Sequence, residues 1–203
     1  MLLTKAIGTQ TLLLETGSYY FSPQSIDKGT LFMLSKAQFS SSDKVLDLGC
    51  GYGVVGIYAA KLIGDKQVVM SDISEEAIHL TQHNLCLNGL TGVRVLQSDG
   101  LKSVPDNDFT LILSNPPYHT DFSVAKAFIE GSFRKLAIGG RLMMVTKRLD
   151  WYKNKITAIF GGVKLFEEDG YYVFLAEKRT GFVQKPAKDK HGLSKKLKRK
   201  YGK

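Results

Sequence analysis

Cysteine is scarce in this chain: only Cys50 and Cys86 occur among 203 residues. They fall in separate predicted elements with no partner motif, which excludes a disulfide framework and leaves two free thiols of a reducing, cytoplasmic setting. No apolar run approaches the roughly 18 residues that a membrane-spanning helix needs. The start, Met1-Leu2-Leu3-Thr4-Lys5-Ala6, lacks the charged lead and long apolar stretch of a signal peptide. Internal repeats are absent. What remains is an ordinary soluble composition, 43% hydrophobic and 23% charged, long enough to bury a core without metal or disulfide support.

Acidic residues are scarce in one place. Residues 185–203 hold nine Lys or Arg and a single acid, Asp189, so this stretch carries +8 of the net +9. The remainder, with 19 basic and 18 acidic residues, is nearly neutral. A basic tail suits a polyanionic partner through phosphate contacts and counterion release. Lys195, Lys196, Lys198, Arg199 and Lys200 are its densest cluster and the candidate nucleic-acid contacts. A solvated tail that only aids solubility is the alternative; a membrane surface fits less well, because the tail has no apolar face or lipidation signal.

From about residue 44 short aliphatic runs alternate with helical stretches, the rhythm of a doubly wound α/β domain. Strands are predicted over 44–48, 67–72, 93–97, 109–113 and 141–146. Helices are expected after the glycines at 49–53, from Ser74 to about Leu87, across Ala125, Phe128, Ile129 and Phe133, and over about 150–160. Gly139-Gly140 is expected to close the third of these. Val163–Phe166 and Tyr171–Ala176, joined by Asp169-Gly170, read as an antiparallel hairpin. Residues 1–43 break the rhythm, with short strands expected over 11–14 and 18–21 and a helix over 29–37. The organisation is therefore an extension over 1–43 packed over the ligand edge expected of such a sheet, an α/β domain over 44–180 and a basic tail over 181–203.

Four strand ends carry the chemistry. Asp47-Leu48-Gly49-Cys50-Gly51-Tyr52-Gly53 places three alternate glycines between a strand and a helix, where backbone can approach a nucleotide-like ligand. Gly51 to Gly56 also spells the dinucleotide fingerprint GxGxxG, with Asp72 where a ribose-binding acid is expected, so an NAD-dependent oxidoreductase is open at this point. Asp47 argues against it. A carboxylate just before the glycines repels a pyrophosphate but favours the ammonium and sulfonium of S-adenosyl-L-methionine; its alternative role is to cap turn N–H groups. Asp72 offers two acceptor oxygens to the ribose hydroxyls, with Ile73 beside it; helix capping is the alternative. Asp99-Gly100 ends the next strand, where Asp99 suits the adenine amino group and Leu101 could pack on the ring.

Asn115-Pro116-Pro117-Tyr118 ends the fourth domain strand. An exocyclic amine is a poor nucleophile because its lone pair is delocalised. Two acceptors aimed at its two N–H bonds, the Asn115 side-chain oxygen and the Pro116 carbonyl, free that lone pair for attack on a methyl group. Tyr118 offers a face for an extruded base. Such a site needs positioning and electrostatics rather than a strong base. A tight turn is the alternative for an isolated Asn-Pro-Pro.

These motifs, in this order, resemble class I S-adenosyl-L-methionine-dependent methyltransferases that act on amino groups. Tyr20-Phe21-Ser22-Pro23-Gln24-Ser25-Ile26-Asp27-Lys28-Gly29-Thr30 is similar to the stretch preceding the glycine loop in the RsmC family, whose members methylate guanine N2 in small-subunit ribosomal RNA. The resemblance implies a Rossmann-like seven-stranded sheet of order 3-2-1-4-5-7-6 with strand 7 antiparallel, and S-adenosyl-L-homocysteine as product. It implies ribosomal RNA or the small ribosomal subunit as partner, and places Phe21, Lys28, Gly29 and Thr30 beside the methionine end of the cofactor. The chain lacks the duplicated N-terminal domain of the longer members, and Tyr118 equally suits adenine-N6 and protein-glutamine methyltransferases. A non-catalytic RNA-binding protein on the same fold is a further alternative, opposed by the intact glycines and acids.

Lys147 and Arg148, at the end of the fifth domain strand, share the rim of this site and could hold RNA phosphates. His79 and His83 stand one helical turn apart, but nothing nearby completes a ligand set, and no metal is expected. His119 is as much a loop residue as a substrate contact. Trp151 and Tyr152 read as helix packing.

Overall fold

The computed structural model describes residues 2–16, 25–117 and 122–179. A hairpin of β1 (Leu2–Ile7) and β2 (Gln10–Glu15) and a helix α1 (Lys28–Lys36) precede the main sheet. The sheet strands are β3 (Val45–Leu48), β4 (Val68–Asp72), β5 (Arg94–Gln97), β6 (Phe109–Ser114), β7 (Leu136–Thr146), β8 (Lys164–Glu168) and β9 (Tyr171–Glu177). Helices α2 (Val54–Ile63), α3 (Glu75–Leu87), α4 (Phe122–Lys135) and α5 (Asp150–Phe160) alternate with them. No helix among the described residues is long and apolar enough to cross a membrane.

The order across the sheet is β5-β4-β3-β6-β7-β9-β8. Counted from β3 it is 3-2-1-4-5-7-6, with β9 antiparallel to both neighbours, as the resemblance implies. All of β3 is buried, because both faces of a parallel sheet are covered, and this explains its unbroken apolar reading apart from Asp47. Successive residues point to opposite faces. Leu46, Ile112, Leu142 and Phe174 meet α4 and α5; Val45, Leu111, Met143 and Val173 meet α1, α2 and the N-terminal hairpin. The chain runs outward through β4 and β5, then crosses back to β6 on the other side of β3. That reversal opens a crevice at the carboxyl ends of β3 and β6, the usual ligand position in such sheets.

Two elements, β1 and the start of β7, differ from the sequence reading. Strand β1 was not expected, and the strand expected over 18–21 lies outside the described residues. The hairpin rests on α2 and α3. There Asn84 and Asn88, one turn apart on α3, bond the backbone of β2: Asn84 Oδ1 accepts from Glu15 N at 2.6 Å, and Asn88 Oδ1 from Leu13 N at 3.1 Å. Their Nδ2 groups donate to the same residues' carbonyls at 3.0 and 2.6 Å. Two side-chain amides thus satisfy the strand edge that β1 leaves open. Finally, β7 begins at Leu136 rather than Arg141. Gly139-Gly140 ends no helix; it lies in an irregular part of the strand, where the pairing register with β6 shifts between Phe109 and Leu111. A Cβ on Gly140 would stand 2.7 Å from the Phe109 carbonyl oxygen.

Candidate active site

The glycine loop between β3 and α2 is fixed from behind. Gly49, Gly51 and Gly53 have φ of 76°, 57° and 96°, a region that side chains disfavour. The N–H groups of Gly49 and Cys50 donate to the Ser71 carbonyl at 2.8 and 3.0 Å, tying the loop to β4. Two α3 side chains hold its far side: Thr81 Oγ1 donates to Gly51 O at 2.8 Å, and Asn84 Nδ2 to Tyr52 O at 2.8 Å. Thr81 and Asn84 were not singled out in the sequence, where they are unremarkable polar positions on a helix.

Asp47 and Asp72 both accept from backbone N–H groups, the capping roles considered above. Asp47 is buried, and its Oδ2 accepts from Gly56 N in α2 at 2.8 Å. Burial lifts its carboxyl from the ordinary 3.8 to about 7; the Gly56 N–H pulls the other way, and the Asp72 charge adds to the rise. Asp72 Oδ2 accepts from Gly51 N at 2.9 Å and Oδ1 from Ser74 N at 3.0 Å. It therefore secures the loop and the entry to α3, while each oxygen has a second lone pair for a ligand hydroxyl. Asp99 is exposed and pairs with Lys102 at 2.5 Å.

Two adjoining hollows lie at the carboxyl edge of the sheet. The first, of about 180 Å³, is lined by Asp27, Thr30, Asp47, Gly49, Cys50, Gly51, Tyr52, Val54, Val55, Asn115, Pro116 and Pro117. The second, of about 320 Å³, is lined by Leu48, Gly49, Ser71, Asp72, Ile73, Ser98, Asp99, Gly100, Pro117, Val124 and Phe128. They meet at Gly49 and Pro117, forming one elongated groove along the strand ends. Ser71 Oγ is buried in the second hollow with no hydrogen-bond partner among the described residues. Leu101 packs on Gly131 of α4 and does not line this hollow, where Phe128 stands instead.

Gly29, Lys28 and Gly53 are not among the lining residues. Lys28 is exposed on α1, and Gly29 lies under the Tyr171 ring, where a Cβ would stand 2.5 Å from Cδ1. Gly29 thus serves the packing of α1 on β9. Phe21, Tyr118 and His119 lie outside the described residues, as do Lys195, Lys196, Lys198, Arg199 and Lys200.

Asn115 is held by the N-terminal segment. Its Nδ2 donates to Asp27 Oδ2 at 3.0 Å and to Thr30 Oγ1 at 2.8 Å. Asp27 also caps α1, accepting from Thr30 N at 2.9 Å, and its Oδ1 accepts from the Tyr171 hydroxyl at 3.3 Å. Ser114 Oγ donates to Leu48 O at 2.7 Å and binds the end of β6 to that of β3. Burial, helped by the Asp27 charge, pushes the Tyr52 hydroxyl up to about 12. Just after the end of β7, Lys147 Nζ lies 4.8 Å from the Tyr171 ring centre and the Arg148 guanidinium 4.8 Å from that of Phe122; neither residue lines the two hollows. Phe122 stacks on Trp151 at 4.4 Å. His83 pairs with Glu15 of the hairpin at 2.8 Å and His79 with Glu75. Among the described residues no cluster of His, Cys, Asp or Glu could hold a metal ion.

The family model described as Methyltransferase small domain matches residues 11–176. The chain belongs to this family. As a methyltransferase small domain it is 31% identical over 156 residues to ribosomal RNA small subunit methyltransferase C of Serratia proteamaculans, covering 75% of this chain and 44% of that one. It is 30% identical over 164 residues to YbxB of Bacillus subtilis, covering 78% and 82%. The chain spans less than half the length of the methyltransferase C relatives it matches. Among solved structures, the fold matches a T. thermophilus 16S rRNA N2 G1207 methyltransferase (RsmC) in complex with AdoMet and guanosine, with TM-score 0.75, 24% identity and 88% and 50% of the two chains covered. It also matches TrmN from Thermus thermophilus, with TM-score 0.64, 25% identity and 73% and 48% covered.

Proposed function

We propose that this protein is an N-methyltransferase that uses S-adenosyl-L-methionine to modify an exocyclic amine of an RNA base, with guanine N2 of small-subunit ribosomal RNA as the favoured target. The observation that carries the reading is the fixed amide of Asn115. Both its N–H bonds are committed to Asp27 and Thr30, which fixes the orientation of an amide that lines the first hollow. The amide oxygen and the Pro116 carbonyl suit the two N–H bonds of a planar amine. Their hold shifts the nitrogen toward tetrahedral geometry, and the lone pair becomes available.

The residues present fit the cofactor. The Asp47 carboxyl, raised by burial, is a group that a neighbouring cation would restore to its ionised form. Asp72 has lone pairs for ribose hydroxyls, and Ile73, 64% exposed, offers an apolar lip to a flat ring. The orphaned Ser71 hydroxyl in the same hollow favours a polar occupant there. When bound, S-adenosyl-L-methionine supplies an electrophilic methyl group and leaves as S-adenosyl-L-homocysteine. A pyrophosphate beside Asp47 is disfavoured, which argues against the dinucleotide reading of Gly51–Gly56.

The RNA assignment draws on the basic stretch over 185–203 and on the names of the relatives. Lys147 and Arg148, just after the end of β7, are assigned to RNA phosphates, and Tyr118 to stacking on the extruded base. The test is transfer of labelled methyl from S-adenosyl-L-methionine to undermethylated small ribosomal subunits, naked ribosomal RNA, DNA and a release-factor-like protein, followed by nucleoside analysis. N2-methylguanosine in RNA is expected. Label confined to adenine N6 or to protein glutamine would replace the proposed target, and no label with any acceptor would defeat the assignment.

A further inference from the structure

Asp27 and Asn115 are 88 residues apart in sequence, and Tyr171 is a further 56 residues on, yet the three side chains form one hydrogen-bonded line. Neutral groups would be enough to fix an amide. Here one of its two partners is a carboxylate, which makes no ion pair with a cation among the described residues. Three elements converge on it: the first turn of α1 through Thr30 N, the end of β6 through Asn115, and the start of β9 through Tyr171.

An amide whose N–H bonds face a negative charge is polarised toward its charge-separated form, which increases the negative charge on its oxygen. As an amine nitrogen is alkylated it becomes positive, and its N–H bonds become stronger donors. We propose that Asp27 is a charged positioning residue for the methyl acceptor. It sets the orientation of the Asn115 amide and, through that amide, places negative charge against the nitrogen as it is methylated, while Tyr171 holds the carboxylate in line. This rests on the reading of Asn115 as the acceptor of the target amine. It also gives the terminal hairpin a task in the site, since Tyr171 begins β9 directly after the Asp169-Gly170 turn.

Asp27→Asn separates charge from structure, because asparagine caps a helix as well as aspartate and can still accept from Thr30 N and Asn115. The variant should melt close to wild type and bind ribosomal subunits unchanged. Its kcat should fall roughly tenfold with KM held, the pattern of an interaction that strengthens only in the transition state. Tyr171→Phe should lose roughly threefold in kcat by the same split. A readout independent of turnover is the side-chain amide resonance pair of Asn115 in protein labelled with 15N-asparagine. Both protons should exchange slowly, and both should shift in Asp27→Asn.

Wild-type kcat in Asp27→Asn would overturn the role of the charge. Fast-exchanging Asn115 amide protons, unmoved by the substitution, would overturn the contact itself. If wild-type protein binds S-adenosyl-L-methionine but methylates no acceptor, the parent reading of Asn115 fails and the catalytic half of the proposal goes with it. The amide resonances still decide the Asp27–Asn115 tie in that case.

Discussion

Replacing Asp47 by asparagine should make the stability of the protein less dependent on pH, and the size of the effect follows from burial. The Asp47 carboxyl is 2% exposed, and burial pushes it up from 3.8 to about 7. Between those limits the folded protein holds a proton that the unfolded chain has released. Stability is therefore greatest at the acid end of that window and falls as pH rises through it, by roughly 4 kcal/mol for a displacement of this size. Asparagine has no such proton, and its Oδ1 can still accept from Gly56 N. Denaturant unfolding of wild type and Asp47→Asn at intervals from pH 4 to pH 8 should give a gap that widens with pH, the variant being the more stable at pH 8. A cationic ligand in the first hollow should reverse that order above pH 7 in wild type alone, because it stabilises the ionised carboxylate. A gap that stays constant across the range would refute the reasoning, since it would mean that Asp47 titrates alike in the folded and unfolded states.

Asn115→Ala should lower kcat at least ~100-fold, the scale seen when one preorganised polar group is lost from an active site, while S-adenosyl-L-homocysteine affinity by calorimetry stays close to wild type; normal turnover would remove its role. Ser71→Ala should leave the unliganded protein as stable as wild type or more so, because it removes a buried hydroxyl without a partner. The same change should weaken S-adenosyl-L-methionine binding about fivefold if that hydroxyl contacts the ligand, roughly one hydrogen bond's worth, and unchanged affinity would show that it does not. Deleting residues 185–203 takes away nine basic side chains and should weaken RNA binding and flatten its dependence on salt. An unaltered salt slope in a filter-binding titration would make that stretch irrelevant to RNA.

The parts legible in the sequence are those with local periods. Strands β3, β4 and β6 are largely buried on both faces and appear as predominantly apolar runs, with their acids and Asn115 at or near the carboxyl ends where the turns begin. The start of β7 was misread because Gly139-Gly140 carries the local signature of a helix stop, whereas the requirement comes from the neighbouring Phe109 carbonyl. Strand β1 was missed because its side chains are mostly exposed and Leu2-Leu3-Thr4-Lys5-Ala6-Ile7 does not alternate cleanly. The least legible features are bonds between a side chain and a distant partner. Asn84 to Glu15 spans 69 residues and Asp27 to Tyr171 spans 144, and neither leaves a spacing or composition that a single chain could reveal. Thr30 was read as a residue beside the cofactor; the Asp27 Oδ2 that caps α1 through Thr30 N also holds Asn115, as does the Thr30 hydroxyl.

That double use of Asp27 has a physical consequence for how the site is made. The sheet can bring β3 and β6 together and so form the groove, because Ser114 and the paired strands need no help from the termini of the domain. The acceptor amide takes its orientation only when α1 has docked on β7 and β9 and Tyr171 has reached Asp27. In the proposed reading, the glycine loop and the acceptor amide are therefore held by different sets of side-chain bonds, although both line the first hollow. The glycine loop is secured by Ser71, Asp72, Thr81 and Asn84, all on β4 and α3, whereas Asn115 is secured by Asp27, Thr30 and, through Asp27, Tyr171. Loosening the start of α1 should cost turnover before it costs cofactor affinity, whereas loosening α3 should do the opposite.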